Sequence, residues 1–294
     1  MDIQEVLKTK IEVVEKALDK YMPNEGSYEK VIYESMRYSV FAGGKRLRPI
    51  LMLAACEFVG GNYEDAIPYA CAMEMIHSYS LIHDDLPAMD NDDYRRGKLT
   101  NHKIYGEAMA ILAGDGLLNY AYELIIKATL GDFNKNKLLA AQEIAWASGS
   151  SGMIGGQVVD LLGEDKEIDK STLDFIHKKK TGALIRGSIR AGAIIGGASE
   201  NQLEDLTKYA ENIGLGFQIT DDILDIIGDE KKLGKKVGSD IENNKSTYPS
   251  LYGMEESIKK VNLLFDESIN LLKKYEDKAE FFIELAKYLV KREY

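Results

Sequence analysis

Cysteine is almost absent from this chain of 294 residues. Its two thiols, Cys56 and Cys71, show no paired spacing, and each stands among apolar neighbours. We therefore predict neither a disulfide framework nor a thiolate metal site, and we expect a reducing, cytoplasmic location. The N-terminus carries Asp2 and Glu5 and has no continuous apolar segment, so no signal peptide is predicted.

Uninterrupted apolar runs and proline are also scarce. Charged residues such as Glu107 and Asp115 interrupt the most apolar stretches, so we predict no membrane insertion. The chain has 5 prolines, and none lies between Pro87 and Pro249. Long helices in that part of the chain therefore meet no obligatory break.

An excess of positive charge is missing as well. The formal net charge is -11, whereas binding to nucleic acid depends largely on lysine and arginine that neutralise phosphates. We therefore expect no nucleic acid partner. Basic residues nevertheless gather in four short groups, and this predicts small anionic ligands. The groups are Lys45, Arg46 and Arg48; Arg95, Arg96 and Lys98; residues 178–180; and residues 231–236.

Apolar residues recur at helical intervals along the chain. In the first segment, for example, Ile3, Val6, Leu7 and Ile11 share one helix face. Alternation with a period of two is rare, so we predict an all-α fold without a sheet, in a single domain over residues 1–294. Further helices are predicted at residues 28–42, 49–59, 66–86, 107–129, 135–149, 153–163, 171–197, 201–228, 254–274 and 276–292.

Two polar, charge-rich stretches interrupt this pattern, at residues 87–103 and at residues 228–248. We predict both as loops without secondary structure of their own. Loops of this length are uncommon inside compact domains and often close over binding sites. Each of the two follows an aspartate-rich segment, which suggests that both border a functional site.

The later aspartate-rich segment forms a regular helical stripe. Asp221, Asp222 and Asp225 follow Gln218 at offsets of three, four and seven, which places them on one side of a helix. The apolar residues around them, within 213–227, predict burial. Buried carboxylates repel one another unless a cation neutralises them, and a hard divalent cation suits them. The alternative is an acidic helix edge that faces water.

The earlier aspartate-rich segment begins at Asp84 and Asp85 and continues to Asp90. A straight helix would place Asp84 and Asp90 about 120° apart, so we predict a bend at Pro87 that redirects the second carboxylate. His77 precedes Asp84 by seven residues and shares its helix face. This histidine is predicted either to reach a ligand or to be an ordinary core residue.

Both aspartate-rich segments are followed by basic residues. This repetition predicts a cavity in which carboxylates hold metal ions, while lysine and arginine complete the neutralisation of an anionic substrate. Diphosphate suits such a cavity because it bridges magnesium. It also becomes a better leaving group when bound metal stabilises its departing oxygen.

The order of these motifs resembles the trans-polyprenyl diphosphate synthases of the farnesyl diphosphate synthase type, over nearly the whole chain. A lone DDxxD motif is a weak signal, whereas the ordered set is strong. The set comprises Gly43-Gly44-Lys45-Arg46-Leu47-Arg48-Pro49, the segment from Ser80 to Asp93 with Arg95-Arg96-Gly97, Lys180-Thr181-Gly182, Gly216-Phe217-Gln218 with Asp221-Asp222-Ile223-Leu224-Asp225, Leu233-Gly234-Lys235, and Lys245-Ser246-Thr247-Tyr248-Pro249.

The resemblance implies an isoprenoid synthase fold in which about ten or more helices surround a central catalytic cavity. It implies a homodimer that needs Mg²⁺, about three ions per active site. The implied activity is a prenyltransferase that condenses isopentenyl diphosphate with dimethylallyl and geranyl diphosphate to give farnesyl diphosphate. Ionisation of the allylic substrate, condensation and loss of a proton are the implied steps.

The resemblance also assigns roles to single residues by their positions in the motifs. The implied metal ligands are Asp84, Asp90, Asp221 and Asp225, with Asp85 and Asp222 in support. The implied contacts to the allylic diphosphate are Arg95, Lys180, Thr181, Gln218 and Lys235. The implied contacts to isopentenyl diphosphate are Lys45, Arg48, His77 and Arg96.

Product length is the finer question, and Tyr79 bears on it. This residue precedes Asp84 by five positions, about 7.5 Å along a helix. An aromatic ring at that depth resembles the floor that stops bacterial farnesyl synthases at fifteen carbons. Geranylgeranyl or geranyl diphosphate stays an alternative product, and Tyr79 has an alternative interpretation as an ordinary core aromatic.

Other interpretations explain less of the sequence. An HD-type metal phosphohydrolase is suggested by His83 and Asp84. Such enzymes need several histidines that bind metal, however, and the whole chain has only four histidines of any kind. A non-catalytic helical scaffold does not explain two aspartate clusters with paired basic groups. A class I terpene cyclase would share fold and metals, yet it needs no second diphosphate site of the kind that Lys45, Arg48 and Arg96 predict.

Overall fold

Helices dominate this computed structural model, which describes residues 1–24, 26, 28–164, 166–228 and 246–290. The prediction of an all-α fold is confirmed. The α-helices are α1 (Ile3–Tyr21), α2 (Lys30–Val40), α3 (Leu47–Phe58), α4 (Tyr63–Asp84), α5 (Asn101–Tyr105), α6 (Glu107–Gly131), α7 (Lys135–Ser148), α8 (Met153–Gly163), α9 (Lys170–Ile176), α10 (Gly182–Ile195), α11 (Glu200–Ile227), α12 (Tyr248–Tyr252), α13 (Met254–Leu272) and α14 (Glu280–Val290). A π-helical turn, His177–Thr181, joins α9 to α10, and a 3₁₀ segment, Lys273–Ala279, joins α13 to α14.

Some predictions fall outside this description. Residues 229–245 are not among the described residues, so the predictions for Lys235, for the basic group at 231–236 and for most of the loop at 228–248 lie outside them. The last two residues of the helix predicted at 276–292 lie outside as well. A single domain over residues 1–294 likewise stays a prediction.

Helix α4 lies at the centre of the core. It packs against α6, α3, α1, α10 and α2. Side chains are buried around most of its circumference, among them Tyr69, Met73 and Ile76, which are 0% exposed. A helix that is buried on all sides is held by its neighbours. The C-terminal end of α4, which carries the earlier aspartate-rich segment, is therefore fixed by the core.

The ends of α4 differ slightly from the prediction of residues 66–86. The side chain of Asn62 accepts a hydrogen bond from the amide of Glu64 (3.1 Å), and this cap starts the helix at Tyr63. The helix ends at Asp84 instead of residue 86. Proline disfavours helical backbone at the preceding residue, so Pro87 accounts for the early end.

The predictions of no sheet and of an unstructured loop at 87–103 are wrong. Two short strands, β1 (Tyr94–Arg95) and β2 (Lys98–Leu99), pair antiparallel, and α5 follows them. Arg96 and Gly97 between the strands have positive φ angles of 55° and 73°, as a two-residue type I′ turn requires. Strands of two residues are too short for alternation to reveal them in the sequence.

Two predicted helices differ from those in the structure. The helix predicted at 171–197 contains the π-helical turn, on whose backbone α8 packs directly. A Cβ on Gly156 would lie 2.1 Å from the Lys180 amide nitrogen. This packing is tertiary and leaves no trace in the periodicity. The helix predicted from residue 276 begins at Glu280, because Glu276 has a φ of 52° within the 3₁₀ segment.

Within the described residues, α6 is the one helix long and apolar enough to span a bilayer, by length and composition only. One face of α6 packs against α4, and Leu117, Ala121 and Ile125 on this face are buried. The exposed face carries charges such as Asp115 and Glu123 beside apolar side chains. No membrane insertion therefore stays a prediction, since α6 is one candidate by length and composition while its buried face belongs to the core.

Candidate active site

The chain turns sharply after α4 and brings Asp90 back to Asp84. The amide of Asp90 donates a hydrogen bond to the carbonyl oxygen of Asp84 (2.9 Å). The amide of Met89 likewise donates to the carbonyl oxygen of Leu86 (2.9 Å), and Pro87 lies inside this turn. The bend predicted at Pro87 is therefore present, and it makes the two aspartates neighbours.

The carboxylates of this turn differ in their surroundings. Burial raises the pKa of Asp84 to about 6, while Lys180 opposes the rise and Asp90 adds to it. Burial also raises the pKa of Asp85, whose carboxylate accepts a hydrogen bond from Arg95 Nε (2.7 Å) and pairs with its Nη2 (2.5 Å). Arg95 thus balances the negative charge of Asp85 from within the protein. A divalent cation at Asp84 would offset the cost of burying its negative charge.

Arg48, His77 and Arg96 form what we call the cationic group. Arg48 Nη1 donates a hydrogen bond to His77 Nε2 (3.1 Å). Burial, followed by Arg48 and Arg96, holds the pKa of His77 well below its usual range, so the ring is neutral. Burial also lowers the pKa of Arg48 to about 10 and lowers that of Arg96. The guanidinium of Arg48 is thus partly withdrawn from bulk water, and an anion would stabilise its charge there, whereas the side chain of Arg96 is exposed.

Glycine makes room for the guanidinium of Arg96, which donates a hydrogen bond to the carbonyl oxygen of Gly43. A Cβ on Gly44 would lie 2.6 Å from Arg96 Cζ, and the φ of +131° at Gly44 also favours glycine. The loop before α3 and the turn between β1 and β2 therefore position Arg96 together. Lys45 follows in the same loop and is exposed.

Arg46 belongs to the same sequence motif but faces the opposite way, into the core. Its guanidinium is fully buried and pairs with Glu74 (2.8 Å) and Glu15 (2.6 Å). It also donates a hydrogen bond to the carbonyl oxygen of Val40 (2.6 Å). These bonds join α1, α2 and α4. Arg46 therefore stabilises the fold, whereas Arg48 faces the site.

Lys180 and Thr181 of the π-helical turn stand between the two aspartate-rich segments. Lys180 Nζ pairs with Asp160 (2.6 Å), and Thr181 Oγ1 donates a hydrogen bond to Gln218 Oε1 (2.9 Å). Burial opposes the charge of Lys180, but Asp160 and Asp84 outweigh it and raise the pKa of the amine. Lys180 therefore stays charged within reach of the earlier segment while its neighbour contacts the later one.

Two cavities meet at Lys180 and Thr181. The larger, of about 340 Å³, is lined by Asp84 and mainly by apolar side chains of α4 and α8. The smaller, of about 140 Å³, is lined by Gln218 and Asp222 among others. Because the same two residues line both cavities, the earlier and the later aspartate-rich segments border adjoining spaces.

Asp222 is buried and holds the start of α12. Its carboxylate accepts hydrogen bonds from Gln218 Nε2 (3.1 Å) and from the amide of Tyr248 (2.8 Å). His177 Nε2 lies 3.5 Å from the same carboxylate. Burial lowers the pKa of His177 to about 4, so this contact involves a neutral ring. Asp222 therefore connects α11 to the π-helical turn and to α12.

Asp221 and Asp225 lie four residues apart on α11 and share one side of that helix. Asp225 is buried and Asp221 is partly exposed. Across the described residues, no group of three or more histidine, cysteine, aspartate or glutamate side chains could hold a metal ion by itself. Magnesium commonly takes one or two protein carboxylates and completes its shell with water and substrate phosphate. A pair of carboxylates such as Asp221 and Asp225 fits that binding mode.

Sequence reasoning misses Asp160 and Gln157 of α8. Asp160 pairs with Lys180, as described above. Gln157 lines the larger cavity, and its amide nitrogen is buried with no hydrogen-bond partner among the described residues. The only signal in the sequence is one amide and one carboxylate within an otherwise apolar helix, Met153–Gly163.

Fold and charges together define a class of protein, an all-α enzyme for substrates that combine an anionic head with an apolar chain. Residues 29–286 match the polyprenyl synthetase family, and the chain belongs to this family. It is therefore a prenyltransferase, and the resemblance found in the motifs is confirmed.

Relatives and solved structures agree with this assignment. The geranylgeranyl diphosphate synthase of Cyanophora paradoxa is 50% identical over 96% of this chain and 93% of its own length. The farnesyl diphosphate synthase of Geobacillus stearothermophilus is 49% identical over 86% of both chains. The solved structure of geranylgeranyl pyrophosphate synthetase from Pyrococcus horikoshii matches with a TM-score of 0.89 at 32% identity, over 99% of both chains. These relatives are named for two different product lengths.

We predict that His77 makes stability depend on pH. Because its pKa is depressed in the folded state, the unfolded chain binds one more proton below about pH 6.5. The contribution of neutral His77 to the free energy of unfolding is thus complete above that pH. Below it, this contribution declines by about 1.4 kcal/mol per pH unit. Urea unfolding between pH 7 and pH 5 should show a shallower decline for His77→Gln than for the unaltered chain. Equal pH dependence in the two proteins would contradict the assignment.

Proposed function

We propose that this prenyltransferase condenses isopentenyl diphosphate with dimethylallyl diphosphate and then with geranyl diphosphate, and releases farnesyl diphosphate. The observation that carries the product length is Tyr79 in the wall of the larger cavity. The residue is 5% exposed and stands five positions before Asp84. A cavity of about 340 Å³ is at the small end of the range for small-molecule pockets, which supports a short-chain product.

The cationic group is the proposed site for the diphosphate of isopentenyl diphosphate. Arg48 and Arg96 supply guanidinium donors that suit a phosphate bidentately. Neutral His77 accepts a hydrogen bond from Arg48 and so fixes the direction of that guanidinium. Lys45, which is exposed beside this group, adds a further cation. This site needs no metal, because the protein itself provides the positive charge.

The aspartate-rich segments are the proposed site for the allylic diphosphate. Asp84, Asp90, Asp221 and Asp225 would hold about three magnesium ions, and bound magnesium would stabilise the negative charge on the departing diphosphate. Asp85 and Asp222 keep neighbouring groups in position through Arg95 and Tyr248. The proposed protein contacts to this diphosphate are Arg95, Lys180, Thr181, Gln218 and Lys235, the last of which lies outside the described residues.

The reaction then needs positioning more than chemical participation by the protein. The bond from the allylic carbon to the diphosphate oxygen breaks, the isopentenyl double bond attacks the allylic cation, and a proton leaves to the released diphosphate. Thr181 and Gln218, joined by a hydrogen bond of 2.9 Å, would turn oxygen atoms towards the cation. Such fixed dipoles act electrostatically, so no covalent enzyme intermediate is required.

Geranylgeranyl diphosphate is the second candidate product. The relative from Cyanophora paradoxa, at 50% identity, is named for that product, and the farnesyl synthase from Geobacillus stearothermophilus stands at 49%. Overall identity therefore does not separate the two lengths. The bulky ring of Tyr79 favours the shorter one.

We also propose a homodimer that forms through α6 and α7. The outer faces of these helices carry large apolar side chains that are 42% to 73% exposed, a pattern typical of interaction surfaces. These side chains are Leu112, Ile126, Leu130, Leu138 and Trp146. A second copy on this face would cover the exposed apolar residues of α6. These residues contribute to the composition that makes α6 a membrane candidate. With Cys56 and Cys71 buried and unpaired, we propose a cytoplasmic location.

We expect Asp84→Ala to lower turnover by about 100-fold or more without unfolding the chain, because it removes a proposed metal ligand. Turnover is measured from radiolabelled isopentenyl diphosphate, and folding is checked by circular dichroism. Asp93→Ala is the matched control, since Asp93 lies in the same segment but forms an exposed ion pair with Lys103 (2.7 Å). Near-normal turnover in Asp84→Ala would refute the metal assignment.

We expect the unaltered chain to yield mainly fifteen-carbon product and Tyr79→Ala to yield longer chains, because removal of the ring deepens the cavity. Chromatography of dephosphorylated products measures the distribution. Tyr79→Phe is the control: the tyrosine hydroxyl is buried and has no hydrogen-bond partner among the described residues, so its loss should leave chain length unchanged. An unchanged distribution in Tyr79→Ala would rule out this residue as the floor.

Light scattering should give twice the chain mass of 32.8 kDa for the unaltered protein. Ile126→Glu places a charge on the proposed interface and should shift the mass to that of one chain. Ile258→Glu is the control and should stay dimeric, since Ile258 is 43% exposed on α13, a helix that packs against α11, α12 and α14. A dimer that persists in Ile126→Glu would exclude this face as the interface.

A further inference from the structure

A second ring lines the larger cavity beside Tyr79. His83 lies one helical turn later on α4 and lines the same cavity. The two rings pack edge to face, with centroids 5.7 Å apart and an interplanar angle of 76°. The wall that limits the cavity at this point is therefore a pair of rings, of which the imidazole is the partner nearer Asp84 in sequence.

Tyr79 has no polar anchor of its own. Its hydroxyl is buried and has no hydrogen-bond partner among the described residues. The position of the ring therefore depends on packing, and His83 is an aromatic neighbour that contacts it directly. Whatever fixes His83 also limits where the tyrosine ring can lie.

Helix α6 fixes His83 from behind. The Nε2 atom of His83 lies 3.1 Å from the carbonyl oxygen of Ile111. At this distance the ring donates a hydrogen bond in the tautomer that carries its hydrogen on Nε2. A Cβ on Gly114 would lie 2.1 Å from Nε2 and 2.5 Å from Cδ2 of the same ring. Real Cβ atoms do not approach ring atoms so closely, so His83 occupies its place only because residue 114 is glycine.

We propose that Gly114 and His83 position Tyr79 and thereby set the depth of the prenyl cavity. This inference rests on the proposed function, since it concerns the length of the product. Gly114 gives the imidazole a recess in α6, and the imidazole in turn supports the tyrosine ring. Product length is then determined by three residues on two helices rather than by the tyrosine alone.

The two supporting residues should change product length in opposite directions. Gly114→Ala removes the recess and moves the imidazole towards the cavity, so the average product should shorten and geranyl diphosphate should accumulate. His83→Ala removes one of the two rings, so the cavity should deepen and chains longer than those of the unaltered protein should appear. Each product ratio should shift by about threefold or more, which corresponds to a free-energy difference of about 0.7 kcal/mol.

Chromatography of products from isopentenyl and dimethylallyl diphosphate with Mg²⁺ measures these ratios, and changes in rate alone do not count. The matched control is Gly116→Ala, which adds the same methyl group to the same helix. There the new Cβ would meet Met36 Sδ at 3.1 Å, at a flexible side chain and away from His83. The control should keep the distribution of the unaltered chain.

The outcomes separate this inference from the function on which it rests. If the unaltered chain forms no prenyl product, both fail. If Tyr79→Ala lengthens the product while His83→Ala and Gly114→Ala leave the distribution unchanged, only the present inference fails. Circular dichroism reports whether Gly114→Ala folds; should it not fold, the result with His83→Ala decides. Lengthening by His83→Ala supports the proposal, and an unchanged distribution overturns it.

Discussion

The site depends on one constraint at the C-terminal end of α4, the separation of opposite charges into a group of cations and a group of carboxylates. Arg48 and Arg96 lie on one side around neutral His77, and Asp84 lies next to Asp90 in the turn that follows. Arg48 and Asp84 are partly buried, and this burial lowers the pKa of Arg48 and raises the pKa of Asp84. Arrangements of this kind cost free energy unless ligands of opposite charge complete them. A diphosphate fits the cations, and a divalent metal fits the carboxylates.

The surrounding structure keeps the two groups apart. Asp85 holds Arg95 in an ion pair, and Arg95 and Lys180 offset the effect of burial on Asp84 only in part, so the pKa of Asp84 stays raised. Asp160 similarly orients Lys180, which stays charged between the aspartate-rich segments. Because other helices pack around most of α4, His77, Tyr79 and Asp84 have fixed spacings along one helix. Tertiary packing therefore sets the geometry that the proposed reaction needs.

The sequence predicts the residue types of the site better than their partners. Helical spacing alone places Asp221, Asp222 and Asp225 on one side of α11, but the hydrogen bond from the Tyr248 amide to Asp222 crosses a segment that carries no periodic signal. Arg46 and Arg48 stand two residues apart in one basic motif, and nothing in their spacing tells that one is buried against Glu74. Glycine contacts and the π-helical turn are likewise invisible, because they arise when distant backbones meet.

The central claim is that one chain binds two diphosphates by two different means. Calorimetric titration with isopentenyl diphosphate and with a non-ionisable thio analogue of dimethylallyl diphosphate, each with and without Mg²⁺, tests it directly. Isopentenyl diphosphate should bind in the absence of metal through the cationic group, whereas the allylic analogue should bind only when Mg²⁺ is present. Equal metal dependence of the two ligands would contradict the account.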